Sequence, residues 1–374
     1  MCRTQSNINP SLEKSLNKSI FKVKQKDYTW RDVLGFAEFV GVLGPHWDSL
    51  SDGIAVCRFA EAKDYVVEPS HLQTEANNLR YRFNLITAEE TEEWLHSREL
   101  SLSSLNDFLN RDILTTHFSD QLSEIRDQIK IDSQIVLESL WSELILNDGY
   151  PHVVTPLIWR LMVDEFKLGE AVTVDDELAV VKKEFCQRES IDIGDLPTYI
   201  KSRWLLKNSF SNYLILEARY RKFYTERVPV EMANLLLKSL HHQLVRISYE
   251  SVSFKDFEHA KEAFLCVTED GCTLDHIAAQ ADGDYTKSAR FVDAIPEDLR
   301  RNLMSAAVEE ALPPRHGSED EKFYIYRVLK KIEPQLDDPV VYSKVQQEYV
   351  KEILCPLGQA HVKWLKWALD LSHG

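Results

Sequence analysis

Hydrophobic positions follow a two-residue period in a few short stretches and a helical period almost everywhere else. In "SIFKVKQKDYTWRDVLGFAEFVGVLG", Phe21 and Val23 alternate, a Lys/Gln/Lys/Asp turn follows, and Val33, Phe36, Val40 and Leu43 recur at helical spacing. Thr29 with Asp32 has the form of a helix N-cap whose acid reaches back to the cap. A short extended arm turning into an amphipathic helix is predicted. From Ile54 to Phe118 the spacing stays largely helical. Leu72, Leu79 and Phe83 share a face after Glu68-Pro69-Ser70, and Thr87 with Glu90 repeats the capping pattern. Leu105, Phe108, Leu109, Ile113 and Leu114 then form the stripe of "SLSSLNDFLNRDIL". A shortened version returns 91 residues on, as Leu196, Tyr199, Ile200, Trp204 and Leu205, after a second turn-then-helix stretch, "VTVDDELAVVKKEF". Two copies fall short of the three or more that a solenoid needs. The repeat reads as a degenerate helical hairpin.

After Glu226 the texture changes. "HHQLVRISYESVS" sets Leu244, Arg246, Ser248 and Glu250 against Val245, Ile247 and Tyr249, which predicts a strand. Helices are expected at "FKDFEHAKEAFLCV", "TLDHIAAQ" and "PEDLRRNLMSAAV", with "ARFVDAIP" between the last two and a closing strand at "KFYIYRVLKKIEP". The order β-α-α-β-α-β gives a small sheet covered by helices. Pro339 to Ser372 reads as long helix carrying Val345, Tyr349, Ile353, Trp364 and Trp367. The fold class is mainly α with an α+β domain. The expected divisions are a flexible 1–18, a helical 19–226 holding both hairpins, a sheet domain at 227–335, and a C-terminal helix, 336–374, packing on the helical domain.

Composition narrows the chemistry. The 374 residues suffice for two or three domains, and 44% hydrophobic content supplies their cores. Only 12 Gly and 13 Pro, with no GxGxxG or GxxxxGK[ST], exclude a nucleotide-binding loop of the usual kind. A net charge of −16 argues against nucleic acid and against anionic membrane surfaces as partners. "MCRTQSNINPSLEKSL" lacks the apolar core of a signal peptide, and no stretch approaches the ~20 apolar residues of a membrane span, so a cytoplasmic location is expected. Six cysteines without CxxC spacing read as reduced core thiols rather than zinc ligands or disulfides. Glu93 and His96 form one ExxH, half of a di-iron motif, and without a second they read as a solvated helix face. His241-His242 makes a poor chelating pair on a strand, where neighbours point to opposite faces. No metal or cofactor is expected. Most of the tryptophans fall within amphipathic helices and read as core, although a few would line any groove that holds a peptide.

In order and texture the chain resembles the SurA/PrsA-type parvulin foldases. The resemblance rests on "FKVKQKDYTWRDVL" as the opening arm and on "AEAKDYVVEPSHLQTEANNLRYRF" with "RELSLSSLNDFLNRDIL" as a turn-marked helical pair. It continues through "FEHAKEAF" with "TLDHIAAQ" as the parvulin helix pair and "KFYIYRVLKKIEP" as the last strand, to "DDPVVYSKVQQEYVKEIL" as the returning helix. The resemblance implies a helical peptide-binding chaperone domain and a parvulin-like peptidyl-prolyl isomerase (rotamase) domain, with unfolded or precursor polypeptide as the partner.

The isomerase site departs from the family pattern. Arg246, Ile247 and Ser248 stand where a strand His is expected, and Lys322-Phe323-Tyr324 replaces a closing Gly-Tyr-His. By the resemblance, Asp284 (or Asp282) and Tyr324 would be the catalytic positions, and Phe291, Ile295 and Leu299 the apolar wall for a proline ring. Rotating a prolyl bond needs no nucleophile, only an apolar pocket and dipoles that favour the twisted amide. The leading expectation is a foldase whose isomerase activity is weak or absent. The alternatives are an active isomerase with an altered site, and a dedicated helper of a peptide-maturation or export system.

Overall fold

A computed structural model describes residues 9–168, 175–203, 205–225, 228–281, 283–317 and 321–366. The chain divides into two compact units, Met1–Glu226 with Ile353–Gly374, and Arg227–Glu352.

The first unit is helical. It opens with α1 (Pro10–Leu16), β1 (Ser19–Val23), β2 (Lys26–Thr29), α2 (Trp30–Val40) and α3 (Leu43–Ala62). Next come α4 (Pro69–Arg82), α5 (Ala88–Ser97), α6 (Leu102–His117), α7 (Leu122–Gln128), α8 (Ser133–Leu146) and α9 (Tyr150–Phe166). The series ends with α10 (Asp175–Arg188), α11 (Leu196–Ser202) and α12 (Phe210–Thr225). Both expected capping boxes form: Thr29 with Asp32 opens α2, and Thr87 with Glu90 opens α5. α2 packs on α9 and α12, and α3 on α6 and α8. Gly35 lies where α2 meets the α12 side, since a Cβ there would sit 2.6 Å from the Tyr213 hydroxyl and 2.8 Å from the Leu205 carbonyl. Buried ion pairs tie the bundle internally, Arg111 to Glu143 at 2.8 Å and Arg160 to Glu217 at 2.9 Å.

Three expectations need correcting in this unit. Residues 10–16 are not a frayed tail but a helix, because Leu12 and Leu16, one turn apart, are buried. The echo of α6 in α11 is also partial. α6 runs 16 residues, whereas α11 stops after seven, and Trp204 lies outside the described residues. Finally, the C-terminal segment includes a strand. β7 (Val362–Trp364) pairs antiparallel with β1, placing Trp364 opposite Phe21.

The second unit holds α13 (Val230–Ser239), the helical turn α14 (His241–Leu244), β3 (Arg246–Phe254), α15 (Phe257–Thr268) and α16 (Leu274–Gln280). It continues with β4 (Asp284–Phe291), α17 (Glu297–Ser305), β5 (Ala311–His316), β6 (Phe323–Ile332) and α18 (Pro339–His361), which runs on past Glu352 into the first unit. The sheet order is β4-β3-β6-β5, antiparallel throughout. One face packs Val252, Phe254 and Ile325 against Ala260, Ala263, Leu274 and Ile277 of α15 and α16. The other packs Ile247, Tyr249 and Val328 against Leu299 and Leu303 of α17. The strand read as starting before Leu244 begins at Arg246, and His241-His242 sits in a helical turn instead. β5 was not expected. The segment 336–374 does not pack as one piece on the helical domain. Val341 and Val345 at the start of α18 close a cluster with Val228, Ala233, Leu236 and Leu244, and only Ile353 onward joins the helical unit. Trp367 lies outside the described residues.

Candidate functional site

In the sheet unit, Asp284 and Tyr324 come together. Both lie directly across from Ser253, one on each side, so the three share one row and one face. Asp284 is exposed and its carboxylate accepts from Lys322 Nζ at 2.7 Å, which holds its pKa below the usual carboxylate range. An acid so placed stays ionised and is a poor proton donor. The Tyr324 ring stacks on Tyr326 at 5.9 Å, and Tyr326 meets Tyr249 edge-on at 6.0 Å. Burial pushes the Tyr326 hydroxyl up to about 12. Beside this row, Ser251 Oγ and Thr286 Oγ1 hydrogen-bond at 2.8 Å. The face is thus a ladder of hydroxyls. Its signal, Tyr and Ser at alternate positions of "YESVS" and Tyr at alternate positions of "FYIY", is present in the sequence.

The expected apolar wall does not form. Phe291 lies opposite Arg246 at the far end of β4, seven residues and roughly 23 Å from Asp284. Its ring packs in the α13–α18 cluster, with Lys344 Nζ 4.8 Å from its centroid. Ile295 and Leu299 are 1% and 7% exposed, in the core beneath β3. The reason is architectural: α17 must spend its apolar side covering the sheet, which leaves none for a ligand. The open cleft beside it is lined by Glu297, Asp298, Arg301, Asn302 and Arg315. All five are polar or charged residues, and none is the Phe, Ile or Leu of the expected wall. Asp282 lies outside the described residues.

The helical unit contains a different kind of opening, a cavity of about 470 Å³ that sequence reasoning did not locate. Leu12, Leu16, Ile20, Trp30, Leu137 and Trp141 supply apolar lining, and Asn9, Ser11, Ser15, Lys18, Glu99, Glu138 and Lys366 the polar remainder. Trp30 meets Trp141 edge to face at 5.1 Å, and the buried Tyr150 ring backs both, at 6.2 and 5.6 Å. Trp141 Nε1 donates to the Arg98 carbonyl at 3.0 Å, which fixes its indole. Several elements converge here. Asn9 caps α1 by accepting from the Ser11 amide at 2.9 Å, and the β1–β7 pairing brings Lys366 alongside. Glu99, in the left-handed region at φ 57°, accepts from Lys18 at 2.8 Å and also pairs with Lys366. The hydrogen bond from Lys18, with that from Lys366, holds the Glu99 carboxyl below its ordinary pKa. An apolar floor under a paired, charged rim suits side chains of a bound chain more than catalysis. The volume lies within the ~300–1,000 Å³ usual for binding pockets.

Glu93 and His96 are both exposed on α5. His241 Nε2 lies 2.8 Å from Glu333 Oε2. Among the described residues no group of three His, Cys, Asp or Glu side chains is placed to hold a metal ion, and no helix is long and apolar enough to cross a membrane.

No protein-family model matches the chain, and no curated protein matches it either. Among solved structures it is similar to foldases. With PrsA of Bacillus anthracis, a peptidylprolyl isomerase, it shares 12% identity over 55% of this chain and 93% of that one, at a TM-score of 0.28. With the foldase protein PrsA of Streptococcus pneumoniae the figures are 12%, 62% and 92%, at 0.25. A Campylobacter jejuni structure described under two related SurA-like chaperones gives 12%, 65% and 93%, at 0.20.

Proposed function

We propose that this chain is a foldase-type holding protein for unfolded or precursor polypeptide, with its grip in the helical unit and little or no prolyl isomerisation in the parvulin-like sheet unit. The cavity beside Trp30 and Trp141 carries the reading. It offers an apolar seat with the Trp141 indole fixed by the Arg98 carbonyl, under a charged Lys18–Glu99–Lys366 rim. On the sheet side, Asp284 is engaged by Lys322, while Ile295 and Leu299 are consumed as core. A cytoplasmic site of action belongs to the same proposal, and cell fractionation tests it.

Ser15 is exposed and lines the cavity, so Ser15→Trp plugs it without touching the core. The full-length variant should keep its circular dichroism and melting temperature yet lose most of its suppression of client aggregation. Suppression equal to wild type in a folded Ser15→Trp protein would remove the cavity from the account. A protease-coupled assay on Xaa-Pro peptides should find isomerisation weak or absent.

A further inference from the structure

We propose that the outer edge of β4 is a second polypeptide-binding site, which takes an extended acidic segment as a fifth strand of the sheet. The sheet order leaves β4 and β5 at its two edges, and the two differ. β5 carries Pro313 and Pro314, which have no N–H to offer, and its pairing with β6 shifts between Leu312 and Arg315. That edge is blunted. β4 is eight residues long, has no proline, and pairs with β3 without a shift.

The direction of its free groups follows from the register. The Val292 amide donates to the Val245 carbonyl at 2.9 Å, so by alternation residues 290, 288, 286 and 284 bond inward to β3. Tyr285, Lys287, Ala289 and Phe291 therefore aim N–H and C=O out of the sheet. Among the described residues no backbone hydrogen bond outside the sheet ladders involves these four. Lys287 and Arg290 are exposed and form no ion pair among the described residues, in a chain of net charge −16. The one acid on the strand, Asp284, is already neutralised by Lys322. Lys287 lies across from Glu250, which already accepts from Arg327 and Tyr285, so the strand keeps an excess of positive charge that opposes a second copy of β4 and favours an acidic strand. The proposal does not depend on the cavity beside Trp30.

The test is fluorescence anisotropy on the full chain, with a labelled short peptide alternating Glu with Val and a counterpart carrying Lys for Glu. The wild type should bind the Glu peptide and not the Lys peptide. Ala289→Pro removes one outward donor and leaves the β3 ladder intact. It should melt like wild type and bind the Glu peptide at least about tenfold more weakly. Lys287→Glu with Arg290→Glu should transfer the preference to the Lys peptide, which tests the site even if the proline variant misfolds. Ser15→Trp should bind as wild type, separating this edge from the cavity. The proposal is overturned if folded Ala289→Pro binds unchanged or the wild type ignores the Glu peptide up to millimolar concentration. It falls equally if sedimentation shows a wild-type dimer that Ala289→Pro converts to monomer, because the occupant would then be a second copy.

Discussion

Trp30 and Trp141 meet at 5.1 Å beside a cavity of about 470 Å³, whereas Ile295 and Leu299, apolar residues suited to a proline ring, are packed under β3. Leu16, Ile20 and Trp30 are as buried as Ile295 and Leu299, and the units differ in that the first group borders an opening. A bundle of many short helices has more faces than its core can cover, and where α1, α2 and α8 converge an opening is left. A four-stranded sheet with helices on both faces closes over itself. Carboxylates show the same contrast. Glu99 is held by two lysines at the rim of an opening, while Asp284 is held by one lysine at an exposed strand end. Residue type alone does not mark a binding site. The neighbours that compete for each side chain decide.

If that contrast is right, Ile295→Ala should act on stability rather than on binding. A buried Ile replaced by Ala costs about 2–5 kcal/mol. The sheet unit should melt correspondingly earlier while suppression of client aggregation is retained at temperatures where it stays folded. Loss of suppression with an unchanged melting profile would make Ile295 a ligand contact after all.

A smaller effect is expected at the rim. The folded-state pKa of Glu99 is depressed by Lys18 and Lys366. Its contribution is therefore present above the unfolded carboxylate value and is lost as pH falls through the folded value. The pair is half exposed, so the gain is modest, below about 1 kcal/mol. Glu99→Gln should lower the melting temperature by about 1–3 °C at pH 7, and the gap should close once both states are protonated at acid pH. A gap that persists at acid pH would mean that the carboxylate acts through packing.

The smallest effect belongs to Tyr324→Phe. Its ring stacking on Tyr326 survives the change, so any residual isomerisation rate should stay within about twofold of wild type. A robust rate that collapses on removing the hydroxyl would promote the sheet face to an active site.

Local elements were legible where local chemistry decides them. Thr29 and Thr87 cap as their sequences suggest, and β3 and β6 form within the stretches that read as strands. What escaped depends on partners distant in the chain. β5 contains two prolines and reads as loop, yet an edge tolerates them. β7 follows a long helix and exists through its pairing with β1. The cavity could not be read because its lining comes from residues 9–30, 99, 137–141 and 366, which no local period connects. The site residues failed for a related reason. Phe291 and Asp284 are close in sequence, and an extended strand holds them at opposite ends of the sheet.

Hydrogen exchange on the full chain, with and without a reduced, unfolded client free of acidic runs, tests the division of labour most directly. The account predicts that client slows exchange over Pro10–Ile20 and through α8, around Leu137 and Trp141, and leaves the Ser253, Asp284 and Tyr324 row as it was. Protection confined to that row, with α1 and α8 unchanged, would contradict it.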